Sequence, residues 1–315
     1  MIFPYRIRRY TWYNGGIMSL PRELAEAFPK RPIDLHKRSA GIVTVVGGSA
    51  HFIHAPVIAG LGARAAGAGL VQLVVPDASR IAAGALLPEA TFLKRTPTCV
   101  PPKADATAIG MGLGVSADSE MLLSRLLSGS AGRFVLDADA LNALAKWYAG
   151  KSVRLPSADG QVHILTPHAG EAARLLACRP EDVDADRPSA VRRLVEKYGS
   201  TIVLKGPRTL VASPGSEEVF TCPAGNPFMA LGGMGDLLSG VIAARWAYLQ
   251  RRMPAQTPPH RLAALAAASA VWLHAAASDS LISADPPVDP SLVRTAERIA
   301  SMRVLLERSA SNGKL

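Results

Sequence analysis

The chain has 315 residues, of which 49% are hydrophobic and 19% charged, so it can bury a sizeable core and lacks the composition of a disordered protein. Its formal net charge of +10 favours anionic ligands. However, no Lys/Arg-rich run with interleaved aromatic residues occurs outside YRIRRYTWY near the N-terminus, which argues against a nucleic-acid partner. The three cysteines form no C-x-x-C pair, which argues against a zinc site and a disulfide framework.

The N-terminal residues differ in composition from the rest of the chain and lead to a second methionine, Met18. We interpret residues 1–30 as an N-terminal extension that is flexible. Residues 31–310 are interpreted as one domain, because no composition shift or internal repeat divides them. Residues 311–315 are interpreted as a short tail.

Two features bear on the location of the protein. No apolar signal-peptide core follows the N-terminal charges. The longest weakly polar stretch, LAALAAASAVWLHAAA (262–277), is shorter than the roughly 18–20 apolar residues that a membrane span requires. We therefore expect a cytoplasmic protein with no membrane partner.

From about residue 40, short runs of β-branched residues alternate with alanine-rich segments. GIVTVV (41–46) and LVQLVV (70–75) predict buried strands on either side of a helix over 55–68. Further strands are predicted at the start of ATAIGMGLG, RFVLDADALNALA and VHILTPHAGEAARLL, and in STIVLKG. This alternation is typical of βα units, so we expect an α/β fold with a mostly parallel central sheet flanked by helices.

The last third of the chain follows a different pattern. TLVASPGSEEVFTC (209–222) predicts two short strands about a Pro-Gly turn, and hence a hairpin. Helices are predicted over 237–250, 260–278 and 291–308. The proline-rich stretches predict loops, at 94–105, 155–161, 253–259 and 284–290.

Four glycine- or acid-rich segments follow predicted strands: GGS, GMGLG, DAD and TPHAGE. In open α/β sheets, ligands bind beyond the carboxyl ends of the strands. A single glycine at a strand end more often marks only a tight turn. Four such segments in one chain are better explained by a shared binding cleft.

The segment NPFMALGGMGDLLSGVI (226–242) places Gly232, Gly233 and Gly235 beside Asp236, where a helix is predicted to begin. Glycines let backbone N–H groups approach a ligand, and a helix N-terminus adds free N–H groups and the positive end of its dipole, which together suit a phosphate. Asp236 also fits an ordinary helix cap, but a cap does not require the glycines. A carboxylate beside a phosphate-binding turn is well placed to take a proton from a hydroxyl that attacks the phosphate.

A second candidate turn, LKGPRT (204–209), follows the predicted strand STIVLKG. Lys205 could offset the charge of a nucleotide phosphate there, while Gly206 and Thr209 shape the turn. By itself this signal is weak, because Lys-Gly is a common way for a chain to leave a strand.

Six segments together resemble, in the same order, the NAD(P)HX dehydratases of the ribokinase-like superfamily: VVGGSAHFIHAPVIAGLGARAAGAGLVQLVVP, AIGMGLG, VLDADALNALA, ILTPHAGEAARLL, IVLKGPRTLVASP and GNPFMALGGMGDLLSGVIA. The resemblance runs from about residue 31 to 278. It implies a ribokinase-like fold and a stand-alone dehydratase, because the epimerase domain that is fused in many bacterial members has no room here. It also implies a homo-oligomer.

The activity that the resemblance implies is repair of nicotinamide cofactors. Hydrated NADH and NADPH, called (6S)-NADHX and (6S)-NADPHX, are dead-end forms, and the family removes the water at the expense of ADP or ATP with Mg²⁺. Hydroxide leaves poorly and phosphate leaves well, so phosphorylation of the ring hydroxyl followed by elimination of phosphate restores the ring. A separate NAD(P)HX epimerase is a further expected partner.

The same resemblance assigns site residues. Asp236 is implied as the catalytic base, with the amides of Gly233 and Gly235 as the anion hole. The nucleotide site matches Lys205, Gly206, Pro207, Arg208, Thr209 and Gly235. The substrate site matches Ala55, Gly112, His168, Asn226 and Asp236. Glu171 matches the position of the residue that organises Mg²⁺.

Some of these assignments have structural alternatives. His168 could be an ordinary structural histidine, and Asn226, which precedes a proline in GNP, could serve turn chemistry. Asp137 and Asp139 match the DAD motif of the family, but helix capping accounts equally well for Asp139.

The chain also departs from the family pattern. HKRSAG (36–41) stands where HKGDFG is usual, His54 replaces a glycine, Met234 replaces a hydroxyl residue in GGTGD, and TPHAGE replaces TPHPGE. Met234 and His54 could crowd the cleft.

Three other functions are therefore weighed. A small-alcohol kinase of the same fold, acting on a vitamin precursor, would form a stable phosphorylated product. A nucleotide-binding module without catalysis would bind ADP without turnover. A nucleic-acid binder would bind without sequence preference and lose its affinity at moderate salt.

Overall fold

A computed structural model of the chain describes residues 20–129, 132–149, 155 and 161–309. Its strands are β1 Ile42–Val46, β2 Leu70–Val75, β3 Thr91–Lys94, β4 Ala106–Ile109, β5 Arg133–Leu136, β6 Val162–Leu165, β7 Thr201–Leu204, β8 Leu210–Ala212 and β9 Phe220–Thr221. They form a nine-stranded sheet in the order β3-β2-β1-β4-β5-β6-β7-β8-β9. Pairing is parallel from β3 to β7, whereas β8 and β9 are antiparallel.

Helices cover both faces of this sheet. They are α1 Ala55–Ala65, α2 Asp77–Leu86, α3 Ala117–Ser128, α4 Asp139–Trp147, α5 Ala169–Leu176, α6 Pro180–Ala185, α7 Arg187–Tyr198, α8 Met234–Gln250, α9 Pro259–Ile282 and α10 Leu292–Ser309. Short 3-10 helices span Arg22–Ala27 and Pro227–Met229. The predicted α/β class is thus confirmed.

The central strands are buried on both faces, which explains their continuous apolar sequences. In β5, Val135 belongs to the apolar cluster formed with α1, α8, α9 and α10, whereas Phe134 and Leu136 belong to the cluster formed with α3, α4, α5 and α7. The sheet is therefore the middle layer of three, with a core on each side.

Helices α1 and α8 run side by side in the same direction. Ile58 of α1 lies against Gly233, at the start of α8, and Gly62 lies against Leu237 one turn further along. A side chain at Gly240 would overlap the Ala59 backbone, so glycine lets the two helices approach closely. Both helix N-termini consequently lie at the same edge of the sheet, the carboxyl edge of the parallel strands.

Helix α9 corrects the prediction about the apolar stretch 262–277. It has 24 residues and is long and apolar enough to span a membrane by length and composition. However, 89% of its most apolar window is buried inside the protein, and it packs against α8, α10 and the sheet. The prediction that this stretch is too short to span a membrane was therefore wrong, and its burial identifies α9 as a core helix.

The described part of the predicted N-terminal extension belongs to the packed domain. Leu24, Ala27 and Phe28 are buried, and the Phe28 ring meets Trp272 edge-on at 6.2 Å. The domain boundary at residue 31 is therefore too late. Residues 1–19 and the tail 311–315 lie outside the described residues.

Most predicted elements are present. The hairpin forms as β8 and β9. Helices α8 and α9 extend a few residues beyond their predicted limits, and α10 is shifted by one residue. Helices α2, α3, α6 and α7 and strand β3 were not predicted from the sequence. Strand β3 has four residues and lies at one edge of the sheet. Most of the predicted loop at 155–161 lies outside the described residues.

Candidate active site

The glycine turn before α8 forms as predicted at the carboxyl edge of the sheet. Gly233 has a φ of 93°, and α8 begins at the next residue. A side chain there would meet Ile58 at 3.1 Å and Leu292 at 3.0 Å, so both the backbone angle and the available space require glycine. Asp236 lies in the first turn of the helix, beside its free N–H groups.

Met234, one of the departures from the family pattern, packs in the core and is 5% exposed. It therefore lies among the apolar residues rather than in the open cleft. His54 stands just before α1 and is exposed, without a side-chain hydrogen bond to the start of that helix.

Lys205 lies at the centre of a charge cluster. Its Nζ is 2.6 Å from Asp137 Oδ1 and 3.8 Å from Glu171 Oε2. It is also 3.4 Å from the point that a Cβ on Gly235 would occupy, so the ammonium group lies over the glycine turn. Burial opposes the charge of Lys205, but Asp137 and Glu171 outweigh burial and raise its pKa. The cluster thus brings a permanent positive charge to the predicted anion hole.

Asp137 connects this cluster to α8. Its Oδ2 accepts a 2.7 Å hydrogen bond from Ser239 Oγ, which stands three residues after Asp236 and so on the same side of the helix. Asp137 is 1% exposed. Since both carboxylate oxygens have partners, the side chain is held between Lys205 and α8.

Burial and nearby charge change the acidity of Asp236. Burial raises the pKa of this carboxyl group to about 7, Asp137 and Glu171 add to the rise, and Lys205 opposes it. Because a general base works best when its pKa is near the working pH, this carboxylate suits proton transfer at neutral pH.

The DAD turn between β5 and α4 is strained. Ala138 has φ 47° and ψ −115°, a conformation that residues other than glycine rarely adopt. The turn points Asp137 into the cluster and lets Asp139 Oδ2 accept a 2.8 Å hydrogen bond from the Gly114 N–H. Asp139 is the first residue of α4, and its bond to Gly114 ties the turn to the glycine loop after β4.

His168 and Glu171 form a capping box at the start of α5. His168 Nδ1 accepts from the Gly170 N–H at 3.0 Å, and Glu171 Oε2 accepts from the His168 N–H at 2.8 Å. The structural interpretation of His168 is therefore supported. Its side chain is still 55% exposed, so substrate binding by the same residue stays a prediction.

The predicted nucleotide turn follows β7. Its conformation is unusual, with a φ of 144° at Gly206 and 55° at Arg208. Thr209 Oγ1 donates to the Gly206 carbonyl at 3.0 Å, and Arg187 Nη2 donates to the Leu204 carbonyl at 3.0 Å. Pro207 and Arg208 are exposed. The turn is thus held from both sides and open to solvent.

The residues matched to the substrate divide into two groups. Ala55 and Gly112 are neighbours: a side chain at Gly112 would meet the Ala55 Cβ at 3.1 Å. Asn226 is held elsewhere, because its Nδ2 donates to Asp279 Oδ1 at 2.7 Å and to Ser278 Oγ at 3.0 Å. These bonds give Asn226 a structural role in fixing its loop to α9, and its role in substrate binding stays a prediction.

Comparison with known proteins identifies the family. The family model described as NAD(P)H-hydrate dehydratase matches residues 43–296. The chain belongs to the NAD(P)H-hydrate dehydratase family. It is 37% identical over 254 residues to a Neisseria meningitidis protein named ADP-dependent (S)-NAD(P)H-hydrate dehydratase, covering 80% of this chain and 81% of the relative. This agrees with the resemblance found in the motifs.

Longer relatives also match. A Vibrio cholerae protein named bifunctional NAD(P)H-hydrate repair enzyme is 37% identical over 260 residues, which are 80% of this chain and 47% of the relative. The chain thus spans about half the length of the bifunctional relatives it matches.

Solved structures show the same fold. A ribokinase-like superfamily protein from Enterococcus faecalis is 25% identical, with a TM-score of 0.73 over 94% of this chain and 99% of that one. The ADP/ATP-dependent NAD(P)H-hydrate dehydratase from Bacillus subtilis, co-crystallised with ATP and Mg²⁺, is 24% identical, with a TM-score of 0.75 over 90% of this chain and 96% of that one. The predicted ribokinase-like fold is therefore confirmed.

The cluster offers one carboxylate that suits a magnesium ion. Among the described residues, no group of three or more His, Cys, Asp or Glu side chains could hold a metal by itself. Mg²⁺ usually keeps several waters and binds one or two carboxylates together with substrate phosphates. Glu171 supplies one such carboxylate, since in the described part of the chain its Oε1 lies near only His168 Nε2, at 3.5 Å, whereas both Asp137 oxygens already have partners.

Proposed function

We propose that this chain dehydrates (6S)-NADHX and (6S)-NADPHX to NADH and NADPH, with ADP or ATP as the phosphoryl donor. The observation that carries this proposal is Asp236, a carboxylate with a pKa near 7 at a glycine turn, beside the Lys205 ammonium. The name of the Neisseria relative supports the reaction and ADP as a co-substrate.

In the first step, Asp236 takes the proton of the ring hydroxyl, and the hydroxyl oxygen attacks the terminal phosphorus of the nucleotide. The new P–O bond replaces the bond to the leaving nucleotide, which departs as AMP from ADP or as ADP from ATP. The N–H groups of the turn and Lys205 stabilise the negative charge that develops on the phosphoryl oxygens.

In the second step, the ring C–O bond breaks and phosphate leaves with the electron pair. A proton leaves the neighbouring ring carbon, so the ring double bond returns. The net products are the reduced cofactor, phosphate and the shortened nucleotide. The oxygen of the ring hydroxyl leaves as part of the released phosphate, so the ring loses the elements of water.

Of the two carboxylates beside Lys205, that of Glu171 would hold Mg²⁺ in this site, together with oxygens of the nucleotide and water. Both oxygens of the other, Asp137, already accept hydrogen bonds. When bound, the ion supplies positive charge that offsets the phosphate groups. Lys205, which lies between the two carboxylates, supplies positive charge from the protein itself.

We infer a cytoplasmic homo-oligomer that acts together with an NAD(P)HX epimerase, since the hydrated cofactors occur as two epimers. Support comes from the family, to which bifunctional repair enzymes also belong. Nucleic acid and membranes are not among the proposed partners.

Product analysis tests the proposed function. Purified protein is incubated with hydrated NADPH, Mg²⁺ and ADP, and the nucleotides are separated by chromatography. We expect NADPH, AMP and phosphate in equal amounts. Accumulation of a phosphorylated alcohol from a vitamin precursor, with no NADPH formed, would instead identify a kinase. ADP binding without any product would identify a catalytically silent module.

A further inference from the structure

Arg174 of α5 is an exposed arginine whose side chain is hydrogen-bonded to the neighbouring helix. Its Nε donates a 3.0 Å hydrogen bond to Asn142 Oδ1 of α4. Asn142 Nδ2 in turn donates to Asp139 Oδ1 at 3.4 Å, and Asp139 Oδ2 accepts from the Gly114 N–H. A chain of hydrogen bonds thus connects the glycine loop after β4, the start of α4 and Arg174.

These hydrogen bonds lie between two positions matched to the substrate, Gly112 and His168. Helical side chains lean toward the N-terminus of their helix, so the Arg174 guanidinium reaches back to the cleft end of α5. Its Nη1 is 3.9 Å from the point that a Cβ on Gly170 would occupy, and His168 Cε1 is 3.0 Å from the same point. The guanidinium is therefore at the rim of the predicted substrate site.

The partner of Arg174 is a neutral amide, which orients the guanidinium without neutralising it. The next two arginines in the chain differ, since Arg179 pairs with Asp182 and Arg187 with Asp184. Fixing a long side chain costs conformational entropy, and a helix surface does not require it. An oriented guanidinium with free N–H groups is suited to bidentate recognition of a phosphate.

We propose that Arg174 binds a phosphate group of the hydrated dinucleotide, with Asn142 as the residue that positions its guanidinium. This inference rests on the proposed function, because it concerns the same substrate. It gives the cleft a contact to the phosphate part of the substrate, which is separate from the reacting ring.

The test compares Arg174→Gln, Arg174→Lys and Asn142→Ala with the control Arg192→Gln, which removes an exposed arginine from α7. For Arg174→Gln we expect KM for hydrated NADPH to rise about ten- to hundred-fold, the usual effect of losing a hydrogen bond to a charged group. KM for ADP and kcat should stay within about two-fold. Arg174→Lys should be less affected, Asn142→Ala should change KM in the same direction, and the control should match wild type.

Comparing hydrated NADPH with hydrated NADH identifies the phosphate. An effect confined to hydrated NADPH would assign the contact to the 2′-phosphate, and an equal effect would assign it to the pyrophosphate. An unchanged KM, an equal rise in KM for ADP, or a fall in Tm alone would overturn the proposal and leave Arg174 as a link between α4 and α5.

The two proposals can fail separately. If wild-type protein forms no NADPH from the hydrate, the proposed function fails. Calorimetric titration with NADP⁺ then still tests Arg174, because NADP⁺ carries the same phosphate groups as hydrated NADPH. Equal affinity of wild type and Arg174→Gln for NADP⁺ would reject the phosphate contact.

Discussion

The pH dependence of turnover should report the ionisation of Asp236. Burial, with the charges of Asp137 and Glu171, raises its pKa to about 7, whereas an ordinary aspartate ionises near 3.8. A general base acts only when it is deprotonated, so kcat/KM should rise with pH through this value. Roughly one carboxyl group in eleven is ionised one unit below the pKa and about ten in eleven one unit above it, so the rate should rise about ten-fold from pH 6 to pH 8.

The substitution Asp137→Asn makes the test specific. It removes the neighbouring charge that contributes most to raising the pKa of Asp236, so the acid limb of the profile should move to lower pH. The maximal rate should also fall, because Lys205 loses its 2.6 Å partner. A matched control is Asp182→Asn, which removes an exposed carboxylate on α6.

The assay is the initial rate of NADPH formation from pH 5.5 to 9, at low concentrations of the hydrate and saturating nucleotide. A rate that stays constant down to pH 5.5, as expected for a carboxyl group with its ordinary pKa near 4, would refute the reasoning about burial. A limb near pH 7 that does not move in Asp137→Asn would refute the assigned electrostatic neighbour.

Two further predictions concern stability. Glu307 is 4% exposed and lies 2.6–3.1 Å from three guanidinium groups, two of them on the buried Arg245 and Arg303. Glu307→Gln should therefore lower the free energy of unfolding, measured by urea denaturation, by about 3–5 kcal/mol. An effect no larger than that of the exposed control Glu297→Gln would contradict this prediction. Because the pKa of Asp236 is raised in the folded protein, its neutral form favours folding at low pH, and this contribution is lost as pH rises through about 7. At pH 8 the Asp236→Asn variant should therefore unfold at a higher temperature than wild type, and at pH 3.5 it should not. The same Tm difference at both pH values, measured by calorimetry, would contradict this prediction.

The segments of the candidate site could be predicted from the sequence because their signals are local. The glycine turn at Asp236, the Lys-Gly exit of β7 and the HAGE segment each carry their own pattern, and parallel strands bring these ends together. The cluster of Lys205, Asp236 and Glu171 was predictable for that reason.

Other features depend on contacts between distant parts of the chain. Asn226 pairs with Asp279, 53 residues away, and nothing near Asn226 in the sequence indicates that partner. The Ser239 bond to Asp137 spans 102 residues, although its spacing from Asp236 places both residues on one side of α8. The Asn142–Arg174 bond likewise appears only when α4 and α5 pack side by side.

Two errors have physical causes. The 3-10 helix Arg22–Ala27 looked like part of a flexible arm because the basic, aromatic residues before it dominate the composition of the segment. Helix α9 looked too short because His274 and several small residues interrupt its apolar run. In the structure His274 is buried, and burial lowers its pKa to about 4, so the neutral side chain packs within the core helix.

The most direct test of the account is absorbance at 340 nm when the protein is added to hydrated NADPH with Mg²⁺, with ADP and ATP in parallel cuvettes. Wild type should give a nucleotide-dependent rise, and the preferred nucleotide identifies the phosphoryl donor. Asp236→Asn should lose turnover by about 10³-fold or more while still binding nucleotide, as expected when the proton acceptor is removed from an otherwise intact site. A flat trace for wild type, or near-full activity of Asp236→Asn, would contradict the account.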